Sequence, residues 1–435
     1  MSLKSSIQKR WVKIVSRLLR RFGGFFSRYP FVEIFSIHLG HTLIESAYLM
    51  QHRPLVVFWK KPLANQWLVK KLENSVRFPK MQKWITERQC DGKGERLISA
   101  VRDLSKNFHD QYYLLNHGFN CLPRKVPSIS FTDEEVQQAE DFLHKLGLRE
   151  QKFVCFCVRD ETYYRDFKPD LNFGGTENFE FRNANIKHYQ KAAKFLRAEG
   201  ITPVLMGFST ESAPDTFLRP ALSPEFRPWI EAYLFSKCIF TVGMMTGTTL
   251  YASLFRRPVL WSDVFWRGVP VGSRNDLVLP KKILHRIHSD SKKGESFLSE
   301  LHMKKWVQLG PPPDNDWNHF ANKGYECKAC SADEILHAVK DMQKFLQTKK
   351  MFQNQKARAL HKEFSELHLR ECKKLGHPPT RLAPSWAEAN SNLLKISNVN
   401  YTKHWLGGLD KENMNMKELI ASRQSRMMFN PKSRR

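Results

Sequence analysis

From residue 31 onward the apolar residues come in short runs separated by stretches of helical spacing, and this alternation limits the possible folds more than any other feature. "FVEIFSI" reads as a strand, "LGH" as a turn, "TLIESAYLM" as a helix and "RPLVVFW" as a second strand, which is a βαβ unit. The same order recurs later. "GHTLIESAYLMQHRPLVVFW" and "GTTLYASLFRRPVLW" both run Gly-x-Thr-Leu, helix, Arg-Pro and an apolar strand ending in Trp. The echo fits two similar halves. It also fits shared physics, because any buried strand-turn-helix-strand favours Gly at the turn and Pro at the first residue of a strand.

Between the halves, Thr132 and Glu135 have capping-box spacing, Val136, Ala139, Phe142, Leu143 and Leu146 form one face, and Gly147 can close the helix. The strand "KFVCFCV" follows, then a polar loop, a helix from Ile186 to Glu199 stopped by Gly200, and the strand "ITPVLMG". "RPWIEAYLFSK" is a helix leading into "CIFTVG", and "PVLWS" is a further strand. Such alternation gives a parallel sheet covered by helices, with the strand ends after Val158, Gly207 and Gly243 on one edge. In open α/β sheets that edge binds ligands.

Charge narrows the partner. Lys+Arg 70 against Asp+Glu 43 gives a net charge of +27, which suits nucleic acid, an anionic membrane surface or a phosphorylated substrate. The eight cysteines are sparse and irregularly spaced, as expected in a reducing compartment. No apolar run approaches the ~20 residues that cross a bilayer. In residues 1–30, Ile7, Trp11, Ile14, Val15, Leu18, Leu19 and Phe22 recur at helical steps among Lys and Arg. A basic amphipathic helix results, lying either on an anionic membrane surface or on the protein's own body.

Two features on the expected ligand edge have chemistry to offer. After Gly243 the turn Met244, Met245, Thr246, Gly247, Thr248, Thr249 leads into a helix, presenting backbone N–H groups, hydroxyls and a positive helix end. It lacks the Gly-Lys-Ser/Thr of phosphate loops and the three glycines of the dinucleotide fingerprint, and by itself it reads equally as a cap. Arg159 sits where "KFVCFCV" ends, followed by Asp160, Glu161, Arg165 and Asp166. A guanidinium grips phosphate oxygens with a planar fork that lysine cannot reproduce. The alternative is an Arg159–Asp166 ion pair that orders the loop.

"FCVRDETYYRD", "FRNANIKHYQKAAKFLRAEG", "FTVGMMTGTTLYASLFRRPVLWSD" and "SADEILHAVKDM", with "IHLGHTLIE" and "FWKKPLANQWLVKKL" upstream, resemble a bacterial glycosyltransferase family encoded with surface-polysaccharide genes. More distantly, "CVRD" is similar to the His-x-Arg strand end of fucosyltransferase-like enzymes, with Cys157 in place of that His. The resemblance covers roughly residues 31–345. It implies a GT-B-like α/β fold, two Rossmann-like parallel-sheet domains facing a cleft, with helical N- and C-terminal extensions. The expected divisions are 1–30 for the membrane-surface helix, 31–130 for the acceptor domain, 131–345 for the nucleotide-sugar domain and 346–435 for a helical brace and basic tail.

The resemblance further implies hexosyl or deoxyhexosyl transfer from a nucleotide-sugar to a glycan or lipid-linked acceptor, and because Arg159, Arg165 and the hydroxyl-lined turn would meet the leaving group's charge, no metal and no cofactor is expected. Arg159, Arg165, Arg182, Asn183, Thr246, Gly247, Thr248 and Thr249 would hold the donor, although neighbouring Asn185 also reads as a cap for the helix at Ile186. His41, or Glu45 one turn further on, would take the acceptor's proton. The expected location is cytoplasmic, on the inner face of the cell membrane.

Other motifs carry less. Cys327 and Cys330 have Cys-x-x-Cys spacing without a second pair at zinc-ribbon distance, and Asp314-Asn315-Asp316 follows "GPPP" in a loop without the strand that would present it to a metal. Residues 344–375 read as helical and basic, and "LAPSWAEANSNLL" is a candidate brace returning to the first domain. Two rival readings stand beside the enzyme: a non-catalytic nucleotide-sugar binder, and a nucleic-acid-binding protein. The second has no recognition motif, and much of its excess charge lies near the termini, so no nucleic-acid partner is expected.

Overall fold

The computed structural model of the chain describes residues 31–34, 43, 54, 57–59, 65–74, 76–77, 79–80, 82, 108–109, 129–160, 181, 183–207, 214–222, 227–264, 275–288, 296–300, 318–351, 354–372 and 381–390. Its first sheet has three parallel strands, β1 (Phe31–Ile34), β2 (Val57–Trp59) and β3 (Phe108–His109), in the order β2-β1-β3. Val32 pairs with Val57 on one side and His109 on the other. Strand β2 is an edge, and the buried Gln82 amide closes it: Nε2 donates to the Val57 carbonyl at 2.8 Å while Oε1 accepts the Val57 N–H at 2.6 Å. A side chain thus satisfies groups that an exposed edge would leave open.

Helix α1 (Gln66–Glu73) starts at Asn65, whose side chain accepts from the Leu68 N–H, and it buries Leu68, Val69 and Leu72. Its other face meets the second half of the chain. Trp67 Nε1 and Lys71 Nζ both donate to the Glu135 carboxylate, at 2.7 and 2.6 Å, and Trp67 and Phe255 lie stacked on opposite sides of Phe131. Burial opposes ionisation of Glu135, but these donors and the Thr132 N–H outweigh it and hold its pKa below the usual value.

Helix α2 (Asp133–Lys145) has the expected capping box at Thr132 and Glu135, and Gly147 follows at φ +68. It leads into β4 (Phe153–Cys157), buried throughout. After it come a 3₁₀ turn (Ile186–Tyr189), α3 (Gln190–Ala198), β5 (Thr202–Leu205), α4 (Arg227–Lys237), β6 (Thr241–Gly243), α5 (Thr249–Leu254), β7 (Val259–Val264) and β8 (Leu277–Pro280). The helix expected at Ile186 therefore opens as a 3₁₀ turn, with the Asn185 side chain accepting the Lys187 N–H at 2.9 Å.

Beyond β8 an antiparallel group forms from β9 (Lys282–His288), β10 (Ser296–Glu300) and β11 (Tyr325–Lys328), with β9 in the middle and α6 (Asn318–Asn322) before β11. Helix α7 (Ala332–Thr348) has its own capping box at Ser331 and Glu334 and ends on left-handed Lys349. The helical stretch read over 344–375 is therefore interrupted, and α8 (Gln355–Cys372) is a separate helix. Strand β12 (Arg381–Leu382) pairs parallel with β8, and α9 (Pro384–Ala389) packs on α7 and α8. The described part of the expected brace thus adds β12 to the edge of the second sheet, and Leu382, Ala383, Trp386 and Ala387 are buried.

The second sheet is six-stranded and wholly parallel, in the order β12-β8-β7-β6-β4-β5. No helix among the described residues is long and apolar enough to cross a membrane.

Candidate anion-binding crevice

Strand β4 lies between β5 and β6 although both follow it in sequence. The chain therefore leaves β4 toward one side of the sheet and later returns to build the other side from β6. Such a reversal opens a crevice at the carboxyl ends of the two central strands. Cys157 pairs with Gly243 at those ends, and Phe156 pairs with Leu205, so the edge expected from sequence is formed.

Gly243 ends β6 because nothing larger fits. A Cβ there would lie 2.7 Å from Thr249 Oγ1, 2.9 Å from Thr249 Cγ2 and 3.2 Å from Cys157 Cβ. The turn is tied down at its start by the Met244 N–H donating to the Cys157 carbonyl at 3.0 Å. It is also closed internally, since Thr246 Oγ1 accepts the Thr249 N–H at 3.2 Å and lies 2.9 Å from Thr249 Oγ1. Thr249 is fully buried, so it shapes the turn from beneath. Thr246, Gly247 and Thr248 are half-exposed. The N–H groups of Met245, Gly247 and Thr248 have no hydrogen-bond partner among the described residues. Helix α5 has only six residues, so the turn's own N–H groups contribute more to an anion site than an accumulated helix dipole.

Arg159 stands two residues beyond β4, beside this turn. Its N–H meets Met244 Sδ at 3.3 Å, and its carbonyl accepts the Ala184 N–H at 3.0 Å. The Asn183–Asn185 segment is thereby laid against the Arg159 backbone. Asn183 is half-buried, and its Oδ1 is shielded from solvent with no partner among the described residues. Its carbonyl accepts from Lys281 Nζ at 2.5 Å. Lys281, directly after β8, is only 2% exposed.

A polar cluster supports the neighbouring strand ends. Asp263 in β7 has φ +50, costly for a residue with a Cβ, and is held by the Tyr189 hydroxyl at 2.7 Å and the Cys330 N–H at 2.8 Å. Burial, and next the Asp263 charge, push the Tyr189 hydroxyl well above its usual pKa, so it stays a donor. On the other flank Glu231 in α4 is buried, 3.1 Å from Arg227, and accepts the Gly207 N–H. Burial raises its pKa to about 7 against the opposing pull of Arg227. Gly207 has φ +89, and a Cβ there would lie 3.7 Å from Thr248 Oγ1, so Glu231 anchors the backbone that faces the turn.

Of the residues expected from sequence to form the site, Arg159, Asn183, Thr246, Gly247, Thr248 and Thr249 are described, and all lie on this edge. Asn185 is the cap of the 3₁₀ turn. Arg165, Arg182, His41 and Glu45 lie outside the described residues, as do Asp166, Asp314, Asp316 and the amphipathic segment 1–30. Cys330 is buried with Sγ 3.5 Å from the Pro280 carbonyl, while Cys327 is half-buried on β11. Among the described residues no three His, Cys, Asp or Glu side chains gather as metal ligands would. Lys281 and Glu231 were not anticipated. Lys281 follows the apolar run "LVLP", and its place after a strand of the same sheet was the available signal.

No family model matches the sequence, and no curated protein matches it. Two solved structures are similar in backbone. One is a glycosyl transferase family 9 protein from Veillonella parvula DSM 2008, with 11% identity, a TM-score of 0.37, and 58% of this chain and 86% of that one covered. The other is ADP-heptose lps heptosyltransferase II from E. coli, with 15% identity, a TM-score of 0.36, and 60% and 91% covered. Backbone likeness at this level is too loose to assign a function.

Proposed function

We propose that the chain is a glycosyltransferase that moves a sugar from a nucleotide-sugar to a glycan or lipid-linked acceptor in surface-polysaccharide synthesis, with the donor's diphosphate held at the β4/β6 crevice. One observation carries this reading: Arg159 and the Met244–Thr249 turn meet at the point where the parallel sheet reverses its strand order. A guanidinium beside backbone N–H groups suits a ligand with several anionic oxygens. The resemblance of the motifs at these same positions to glycosyltransferases supports it further.

In such a transfer the sugar–phosphate bond lengthens through an oxocarbenium-like state, and negative charge collects on the departing diphosphate. Groups fixed before the reaction stabilise that charge without reorganising. Arg159 is fixed through its N–H and its carbonyl, and the turn through Cys157 and Thr246. The reading includes no divalent cation and no cofactor: Arg159 and the turn's N–H groups are taken to meet the charge of the leaving diphosphate. His41 or Glu45 would receive the acceptor proton, and residues 1–30 would hold the enzyme at the inner membrane surface.

A thermal-shift screen of the full chain against nucleoside diphosphates, nucleotide-sugars, RNA and DNA tests the proposal. A ligand at 100 times its dissociation constant adds roughly 2.7 kcal/mol of stability. A shift with at least one nucleoside diphosphate and its sugar is expected. A shift with nucleic acid alone would replace the enzyme with a nucleic-acid-binding protein.

A further inference from the structure

The helices that cover the second sheet divide into two faces of opposite charge. Strand β4 leads through α3 to β5, whereas β5 leads through α4 back past β4 to β6, and right-handed crossovers in opposite directions put α3 and α4 on opposite faces. Helix α7 packs on α3, and α2 packs on α4. The α2 side presents exposed Asp133, Glu134 and Asp141. On the other side Lys187, Lys191 and Lys194 form one exposed stripe at helical spacing, and His337, Lys340 and Lys344 form a second along α7. Two contacts lay these stripes side by side: Lys191 Nζ meets the Asp333 carboxylate at 2.8 Å, and Lys340 Nζ lies 5.0 Å from the centre of the Phe195 ring. Asp333 is thereby neutralised, and Glu199, just past the far end of α3, is the other exposed acid on this face among the two helices and their caps. The ammonium groups of Lys187, Lys194 and Lys344 have no partner among the described residues. Like charges gathered in this way repel one another, and an anionic surface relieves that repulsion.

The face has a fixed orientation to the crevice. Helix α3 is entered through Ala184, whose N–H donates to the Arg159 carbonyl, and α7 is entered from Cys330, whose N–H is held by Asp263 near the end of β7. His188 Nδ1 lies 2.9 Å from the Cys330 carbonyl and joins the two starts. Both helices therefore begin at the carboxyl edge of the sheet and run away from it. We infer that the α3/α7 face docks on the surface of an anionic lipid bilayer, so that the crevice edge lies alongside the membrane. The inference rests on the membrane location proposed above and adds a contact within the folded body, separate from residues 1–30. Lysine suits this occupant, because its ammonium is a compact point charge for headgroup phosphates. Single-stranded nucleic acid calls instead for exposed aromatic rings on which bases stack, and the stripes offer none, since Phe195 is half-buried beneath Lys340. Each basic residue close to an anionic leaflet strengthens binding roughly fivefold.

The test is co-sedimentation of the full-length chain with vesicles of phosphatidylcholine alone and of phosphatidylcholine mixed with phosphatidylglycerol. Wild type is compared with Lys187→Glu/Lys194→Glu/Lys344→Glu and with Lys70→Glu/Lys145→Glu/Lys152→Glu, a control that changes the net charge equally at exposed lysines away from this face. Wild type should bind the mixed vesicles only, and less well as salt rises. The face variant should bind them about tenfold more weakly or worse, and the control should stay within about threefold of wild type. A face variant that binds like wild type, or equal losses in the two variants, would overturn the assignment while leaving the membrane location standing. Wild type binding neither vesicle would defeat that location and the docking face together. A short RNA that wild type binds and the face variant does not, with vesicle binding unchanged, would make the face a nucleic-acid surface and also overturn it. If the face variant does not fold, Lys187→Gln/Lys194→Gln/Lys344→Gln is read in its place, with a smaller loss in the same direction. Loss of fold in both makes these lysines structural and overturns the inference.

Discussion

Arg159 differs from a lysine at the same position in the one respect that matters to a diphosphate: its planar fork donates to two oxygens at once, whereas an ammonium is a point charge. Its backbone is held from β6 and from the Asn183–Ala184 segment, so Arg159→Lys should fold with a melting temperature within a few degrees of wild type and lose at least tenfold in diphosphate affinity. Unchanged affinity would remove Arg159 from the site. Glu231 carries a prediction of a different kind. Its folded pKa is about 7 against an ordinary 4.5, so the folded state retains a proton that the unfolded state releases. The stability this lends is full below pH 4.5 and is lost as pH rises through 7, a swing on the order of 3 kcal/mol. Thermal melts at pH 5, 6 and 7 should show Glu231→Gln gaining on wild type as pH rises, and a constant gap would contradict the buried-acid description.

At the scale of elements, β6 shows how one residue type fixes a turn. Gly243→Ala would drive a Cβ to 2.7 Å from Thr249 Oγ1, and relieving it must shift α5 or the turn. A loss of about 1–3 kcal/mol is expected from such overpacking, read as a fall in melting temperature together with weaker nucleotide binding. A second element-level prediction concerns α8 and β12, which meet at His361: Nδ1 accepts the Leu382 N–H at 3.4 Å and Nε2 lies 3.3 Å from Ser365 Oγ. Burial, assisted by Arg381, lowers its pKa to about 4 from 6.5. Its stabilising effect is therefore present above pH 6.5 and lost as pH falls through 4, at most about 3 kcal/mol before allowance for partial exposure. This runs opposite to Glu231 over much the same interval. Replacing either group should unmask the slope of the other. A gap between wild type and His361→Gln that does not change between pH 4.5 and 6.5 would contradict the buried-imidazole description.

Legibility followed distance along the chain. The capping boxes at Thr132 and Ser331 were local, three residues wide, and the Thr132 one could be read directly, as could the Gly243 turn. The crevice edge followed from alternation alone, because parallel strands joined by helices bring their carboxyl ends together. What alternation could not show was which distant residues would meet there. Lys281 reaches Asn183 across 98 positions, and Glu231 reaches the Gly207 backbone from a segment read in the sequence only as a helix leading into the next strand. Strand β12 has two residues, too short for a period, and its pairing with β8 depends on the burial of the segment around it.

For the molecule as a whole, the contact between α1 and the second half joins the first sheet to the crevice. Asn65 Nδ2 donates to the Tyr251 hydroxyl at 2.5 Å, and Tyr251 sits in α5, the helix that the anion turn begins. A basic segment preceding this body suits an anionic surface, so deleting residues 1–28 should release the protein from vesicles containing anionic lipid while turnover of a soluble acceptor persists. Unfolding of the truncated chain would make that segment part of the core. The central claim, a metal-independent diphosphate site that serves sugar transfer, is tested most directly by nucleoside diphosphate release from a panel of nucleotide-sugars in excess EDTA, compared between wild type and Arg159→Lys. Release from at least one donor that persists in EDTA and falls at least tenfold in Arg159→Lys is the predicted result; release from none, or release that requires manganese and is indifferent to Arg159, would contradict it.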